Sequence, residues 1–222
     1  MAPQISARRI GREGEPVVIV DDFAPDPDGL LAHAAASAFT PAGDHYPGVR
    51  AALPTTYFGE VGETLSIIFG EAFGAAGRVR VLDARFSIVT APAAALTLVQ
   101  RVPHVDATAP GRLAMVHYLA AEELGGTAFY RHRSTGFETI NEARAHAYFA
   151  ALARETAVHP PHGYIAGDTP LFERIDAVAA RFNRAVFYRS HLLHCGTVPP
   201  DAHLPADPQR GRLTITGFFA AD

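Results

Sequence analysis

The 222-residue chain predicts a mainly β fold with supporting helices. From about residue 79, Leu82, Ala84, Phe86 and Ile88 alternate with Asp83, Arg85 and Ser87, which is the period of a half-buried strand. Further strand candidates follow at 97–106, 113–119, 126–131, 185–189, 194–198 and 212–219. Many short strands at close spacing point to a sandwich or jelly roll. Before residue 79, and again near 141–182, the apolar spacing is helical.

Taken in order, Pro16-Val17-Val18-Ile19-Val20 reads as a short strand that Asp21-Asp22 ends. Asp28 gives an acidic start to a helix carrying Leu30, Leu31, Ala34, Ala35, Ala38 and Phe39. Leu65, Ile68, Phe69 and Ala72 recur at i, i+3, i+4, i+7, so a second amphipathic helix is expected. Between them, Pro41, Gly43, Pro47, Gly48 and Pro54 make 40–56 a predicted loop. Two more helices are expected inside the β region. One covers about 141–157. The other covers about 169–182, with Asp168 as N-cap and Leu171, Ile175, Val178 and Phe182 on one face. The expected organisation is a single domain, 1–222. Residues 1–78 form an N-terminal strand and supporting helices, and 79–222 form a β core with a helical insertion at about 141–182.

The composition is 48% hydrophobic with 14 Phe and 7 Tyr, enough for a sizeable core. Nineteen basic and 23 acidic residues give a mild net charge of −4. A nucleic-acid binder would be basic and clustered, so that class is disfavoured. Cys195 is the one cysteine, and no disulfide framework marks an extracellular fold. The polar start with Arg8, Arg9 and Arg12 lacks the apolar stretch of a secretory signal. No apolar run approaches the ~18–20 residues of a membrane span. A cytoplasmic protein is expected, with a homodimer compatible with the chain.

The chemistry concentrates in three places. His104-Val105-Asp106 sits on an expected strand, where i and i+2 share a face. An imidazole and a carboxylate suit Fe(II) or Mn(II), and the lack of a thiolate disfavours a structural zinc site. For a third ligand His191 and His194 compete. His194 is preferred because it precedes the small residues Cys195-Gly196-Thr197 at a strand start, whereas His191 falls in a turn. Two histidines and a carboxylate leave three positions open on a redox metal. Near the C-terminus Arg212 shares its parity with Thr214 and Thr216, a donor row suited to a carboxylate. Arg210, in the Asp207-Pro208-Gln209 turn, is the alternative anchor.

These motifs resemble the prolyl 4-hydroxylase-like branch of Fe(II)/2-oxoglutarate dioxygenases. That family shows a His-x-Asp strand, a Tyr-Leu strand, a Gly-Gly turn, a distal Leu-His and a final basic strand. This chain has His104-Val105-Asp106, Tyr118-Leu119, Gly125-Gly126, Leu193-His194 and Gly211-Arg212-Leu213-Thr214 in that order. Val17-Val18-Ile19-Val20-Asp21-Asp22-Phe23 is similar to the family's N-terminal strand. A bacterial subgroup sharing Tyr-Pro-Gly-x-Arg (Tyr46 to Arg50) and Tyr-Arg-His-Arg (Tyr130 to Arg133) is also similar. The resemblance implies a double-stranded β-helix (jelly-roll, cupin-like) core. It implies Fe(II) on His104, Asp106 and His194 and 2-oxoglutarate as co-substrate. Arg212 would pair with the distal carboxylate of 2-oxoglutarate, and Tyr118 would donate a hydrogen bond to it. O₂ and a peptide, amino acid or small molecule are the remaining expected partners, with hydroxylation as the outcome. Two other classes stay open: a cupin-type metal enzyme without 2-oxoglutarate, and a non-catalytic jelly-roll binding module. The chain departs from the family in a longer stretch between His194 and Arg212 and in its insertion.

Tyr130, Arg131 and Arg133 could grip an anionic substrate, against a plain solvated turn. Tyr46, Arg50 and Asn183 stand similarly. His117, on the face opposite Tyr118, is expected to be a packed histidine.

Overall fold

The computed structural model describes residues 2–43, 45–75, 77, 79–120 and 124–221. The N-terminal part is less helical than expected. It contains β1 (Gln4–Ile10), β2 (Glu15–Asp21), α1 (Pro27–Ala35), β3 (Thr40–Pro41), β4 (Gly48–Ala52) and α2 (Tyr57–Phe73). The Asp26 side chain caps α1 by accepting from the Gly29 amide at 2.9 Å, with Pro27 at the first helical position. The predicted 40–56 loop contains β4, which pairs with the next strand. There Gly48 is required, because a Cβ would lie 1.9 Å from the Ile88 carbonyl oxygen.

The remaining strands are β5 (Val79–Val89), β6 (Arg112–Tyr118), β7 (Gly126–His132), β8 (Phe172–Ala179), β9 (Arg184–Arg189), β10 (His194–Thr197) and β11 (Arg212–Ala221). α3 (Glu142–Val158) lies between β7 and β8, capped by Asn141, which accepts from the Arg144 amide. The helix expected at 169–182 is instead β8, so the helical part of the insertion ends with α3. The candidate strand at 97–106 is a 3-10 turn at Leu98–Arg101 followed by extended chain.

The larger sheet runs β1-β2-β9-β6-β11-β5-β4-β3 and the smaller β10-β7-β8. His104 forms an antiparallel bridge with His194 and so adds a fourth edge to the smaller sheet. From β5 onward the chain passes between the sheets in the order large, small, large, small, small, large, small, large. That winding is a double-stranded β-helix, as expected. Ala114, Tyr118, Phe129, Val178, Val186 and Tyr188 fill the space between the sheets. α1 and α2 cover the outer face of the larger sheet through Leu30, Tyr57, Leu65 and Phe69. α3 covers the smaller through Tyr148, against Tyr130 and Phe172. Among the described residues no helix is long and apolar enough to cross a membrane.

His117 is a fully buried core residue, as the parity of its strand predicts. Nε2 donates to Asn183 Oδ1 at 3.0 Å, and Nδ1 accepts from the Tyr57 hydroxyl at 3.1 Å. Asn183, in the left-handed region at φ 60°, also exchanges bonds with Ala24 N and O. It belongs to this core network. Burial holds the His117 imidazole down to about 4. The unfolded chain then binds the proton first, so stability falls as pH drops from about 6.5 towards 4. A shift of that size corresponds to on the order of 3 kcal/mol. Urea unfolding at pH 7.5 and 4.5 should show a smaller acid-induced loss for His117→Gln than for wild type. Equal losses would show that His117 does not drive the pH dependence.

Candidate metal centre

The backbone builds the centre first. His104 N donates to His194 O at 2.9 Å, and His194 N donates to His104 O at 3.0 Å. Asp106 N donates to Ser190 O at 2.8 Å, which fixes the segment two residues on. Two directly opposed residues of an antiparallel pair place their side chains on the same face. The imidazole centroids are 4.5 Å apart. His104 Nε2 lies 3.7 Å from Asp106 Oδ1, and His194 Nε2 lies 3.5 Å from Asp106 Oδ2. One ligand atom from each residue falls within 4.8 Å of the other two.

His194 Nδ1 donates to the Leu192 carbonyl at 2.8 Å. That bond leaves the Nε2 lone pair free, which is how metal-binding histidines are usually oriented. Burial pushes His194 down to about 4, so its ring is neutral at neutral pH. Burial raises Asp106 to about 6, against the pull of His104 and Arg50. The side chains of His194 and Asp106 are 5% and 14% exposed, whereas His104 is 51% exposed. The cluster is therefore closed behind and open on the His104 side. This donor set fits a divalent metal of the Fe(II) or Mn(II) kind. The competing His191 is turned away and faces Glu15 at 3.6 Å.

The cluster opens into a cavity of about 620 Å³ between the sheets, in the range of small-molecule sites. Arg212, Thr214 and Thr127 line it, together with Tyr46, Arg50 and Tyr164. Arg212 is buried. Its Nε donates to Leu124 O at 2.9 Å and Nη2 to Gly126 O at 2.8 Å. These bonds aim the guanidinium and leave Nη1 for a ligand. Gly196 packs beside it, and a Cβ there would make only ordinary contact with Nη2, at 3.4 Å. The alternative Arg210 is exposed in its turn and does not line the cavity. Thr214 Oγ1 donates to Ser87 O at 3.2 Å.

Several expected residues fall elsewhere. Tyr118 is fully buried and does not reach the cavity wall. Its hydroxyl bonds Thr127 Oγ1 at 2.6 Å, so it stands one residue behind the lining. Arg131 is not at the mouth. It shares the parity of Thr127 and Phe129 but stands at the far end of β7, where it pairs with Glu138 and Glu173. Arg133 is exposed and bonds Thr169 O and Asp168. Tyr130 is core, with its hydroxyl donating to Ile165 O at 3.5 Å. Cys195 is buried beside it, its thiol pushed up to about 12 by desolvation, so it is not an activated nucleophile. Tyr164, Tyr188 and Thr127 line the cavity without having been picked out in the sequence. Tyr188 packs on His194 with centroids 4.6 Å apart. The apolar run 185–188 of β9 marks burial but not which cavity Tyr188 borders.

A family model described as a family of unknown function, DUF6445, matches residues 1–219, and the chain belongs to that family. No curated protein matches the chain. Similar solved structures include HygX from Streptomyces hygroscopicus with nickel, 2-oxoglutarate and hygromycin B bound. It is 11% identical at TM-score 0.49, over 92% of this chain and 82% of that one. AviO1 from Streptomyces viridochromogenes Tue57 is 15% identical at TM-score 0.48, over 96% and 90%. EctD from S. alaskensis with bound Fe is 13% identical at TM-score 0.43, over 98% and 84%.

The Arg131 pair gives a direct test of structural against binding roles. The Glu138 carboxylate is buried and also accepts from the Arg12 and Glu13 amides at 3.0 Å. Removing its cation in Arg131→Met strands a buried charge, at a cost of roughly 3–5 kcal/mol. In a chain of this size that lowers Tm by on the order of 10 °C. Calorimetry should show this drop with metal affinity unchanged. An unchanged Tm with weakened ligand binding would return Arg131 to the substrate site.

Proposed function

We propose that this DUF6445 member is a non-haem Fe(II)- and 2-oxoglutarate-dependent oxygenase that oxidises a small molecule, amino acid or peptide side chain. The observation that carries the reading is one cavity with a two-histidine, one-carboxylate cluster and a buried, carbonyl-oriented arginine. The motif order that resembles the prolyl 4-hydroxylase-like branch supports it further. His104, Asp106 and His194 would hold Fe(II). Arg212 and Thr214 would take the distal carboxylate of 2-oxoglutarate by charge-assisted hydrogen bonds. Tyr118 would act through Thr127, fixing that hydroxyl rather than touching the co-substrate.

Fe(II) with 2-oxoglutarate and O₂ supplies an oxidation that yields succinate, CO₂ and, in the hydroxylation expected here, an alcohol on the substrate. The protein's own share is orientation and exclusion of water. Tyr188 and the buried side of the cluster exclude solvent behind the ligands. The Leu192 carbonyl keeps His194 in the ligating tautomer. The open His104 side gives substrate its approach.

Anaerobic visible spectroscopy tests the reading. Fe(II) and 2-oxoglutarate together should give a charge-transfer band that neither gives alone. His194→Ala should abolish it. Arg212→Gln should require tenfold or more 2-oxoglutarate, about 1.4 kcal/mol of lost binding. Metal binding with no 2-oxoglutarate-dependent band would favour cupin-type chemistry without that co-substrate. No metal binding would favour a jelly-roll binding module.

A further inference from the structure

The Tyr-Pro-Gly-x-Arg segment ends at a second cation in the same cavity. Arg50, on β4, and Tyr46, in the loop before it, both line the cavity. The Arg50 guanidinium sits over the Tyr46 ring, 4.6 Å from its centroid. Arg50 Nε is buried without a hydrogen-bond partner, while the Tyr46 hydroxyl lies beside Thr214 and Ser87. Buried polar atoms are nearly always satisfied, so an unsatisfied guanidinium nitrogen on the cavity wall calls for a ligand. A guanidinium only donates, so the missing partner is an acceptor. The cation–π stack holds the guanidinium in place before anything binds.

Charge points the same way. The charged side chains lining the cavity are Asp106, Arg50 and Arg212. On the reading proposed above, a divalent metal, Asp106, dianionic 2-oxoglutarate and Arg212 sum to zero with neutral imidazoles. Arg50 then stands as an excess positive charge on the cavity wall, half-buried and with its Nε out of solvent, where it is costly without a counter-charge. We propose that Arg50, stacked on Tyr46, is the specificity residue of the site and selects a small organic substrate bearing one carboxylate or similar anionic group. Apolar lining from Val99, Val105, Val198 and Phe218 leaves room for an uncharged body beside it.

The inference rests on the 2-oxoglutarate reading, and the test separates the two. Protein loaded with Ni(II) and 2-oxoglutarate is screened by thermal shift against small monocarboxylic acids, including amino acids, and their matched amides. Some acids should stabilise it, with their amides at least tenfold weaker. Arg50→Gln should erase that preference while 2-oxoglutarate affinity stays near wild type, and Arg50→Lys should restore part of it. Arg212→Gln should instead lose 2-oxoglutarate. Amides binding as well as acids, or no acid binding at all, overturns the inference and leaves the co-substrate reading standing. Arg50→Gln weakening 2-oxoglutarate as much as Arg212→Gln also overturns it and moves Arg50 to the co-substrate. Wild type that binds Ni(II) but not 2-oxoglutarate overturns both.

Discussion

Two backbone hydrogen bonds between His104 and His194 set the geometry on which the site depends. They join segments distant in sequence, and they fix the parity of both. A slip of one residue would turn either imidazole to the opposite face. The flanking bonds make the register costly to change. Asp106 N is tied to Ser190 O, Leu193 N to Glu138 O, and Tyr130 N to Leu193 O. The cluster is thus a consequence of strand pairing, with side-chain contacts refining an arrangement already made by the backbone.

The same logic explains how the long connections are tolerated. α3 and its flanking loops separate the two histidines in sequence, and a proline-rich loop separates His194 from Arg212. The entropy of closing a loop grows only slowly with its length. Position is set by the ladders on either side. Arg212 opposes Val89 on β5, and Thr214 opposes Tyr118 on β6. The long loop between His194 and Arg212 therefore still leaves Arg212 lining the same cavity as the cluster.

Much of this was legible in the chain. The alternation at 82–88 marks β5, the strand candidates at 113–119, 126–131, 185–189, 194–198 and 212–219 match β6, β7, β9, β10 and β11, and the His-x-Asp, Leu-His and Arg segments came together in one cavity. The misreadings have identifiable causes. In β8 a register shift opposite Phe129/Tyr130 gives Ile175 no partner in the ladder. Leu171, Ile175, Val178 and Phe182 fall at spacings of four, three and four, which imitates a helix face. β1 is exposed along most of its length and carries Arg8 and Arg9. A charged edge strand lacks the apolar signal that would reveal it. β4 is hidden among prolines and glycines, yet Gly48 is what permits its close approach to β5. Arg131 failed as a binding residue because the sequence around a Gly-Gly turn does not show that Glu138 and Glu173 flank it in space.

The arginines of this fold divide by what satisfies them. Arg131 and Arg144 meet carboxylates, and Arg184 meets Asp21 in a two-pronged contact. Each sits where removing the partner would strand a charge, so these residues hold the scaffold together. Arg212 differs, since main-chain carbonyls orient it without neutralising it. A buried cation supported only by dipoles keeps most of its charge available, and an anion entering the cavity gains a charge-assisted bond at little reorganisation cost. Arg50 goes one step further, held by an aromatic face and by no acceptor for its buried Nε. Arg212 and Arg50, which line the cavity, are thus less satisfied by their own chain than the three that hold the scaffold, a difference the sequence does not show, because there all five residues look alike.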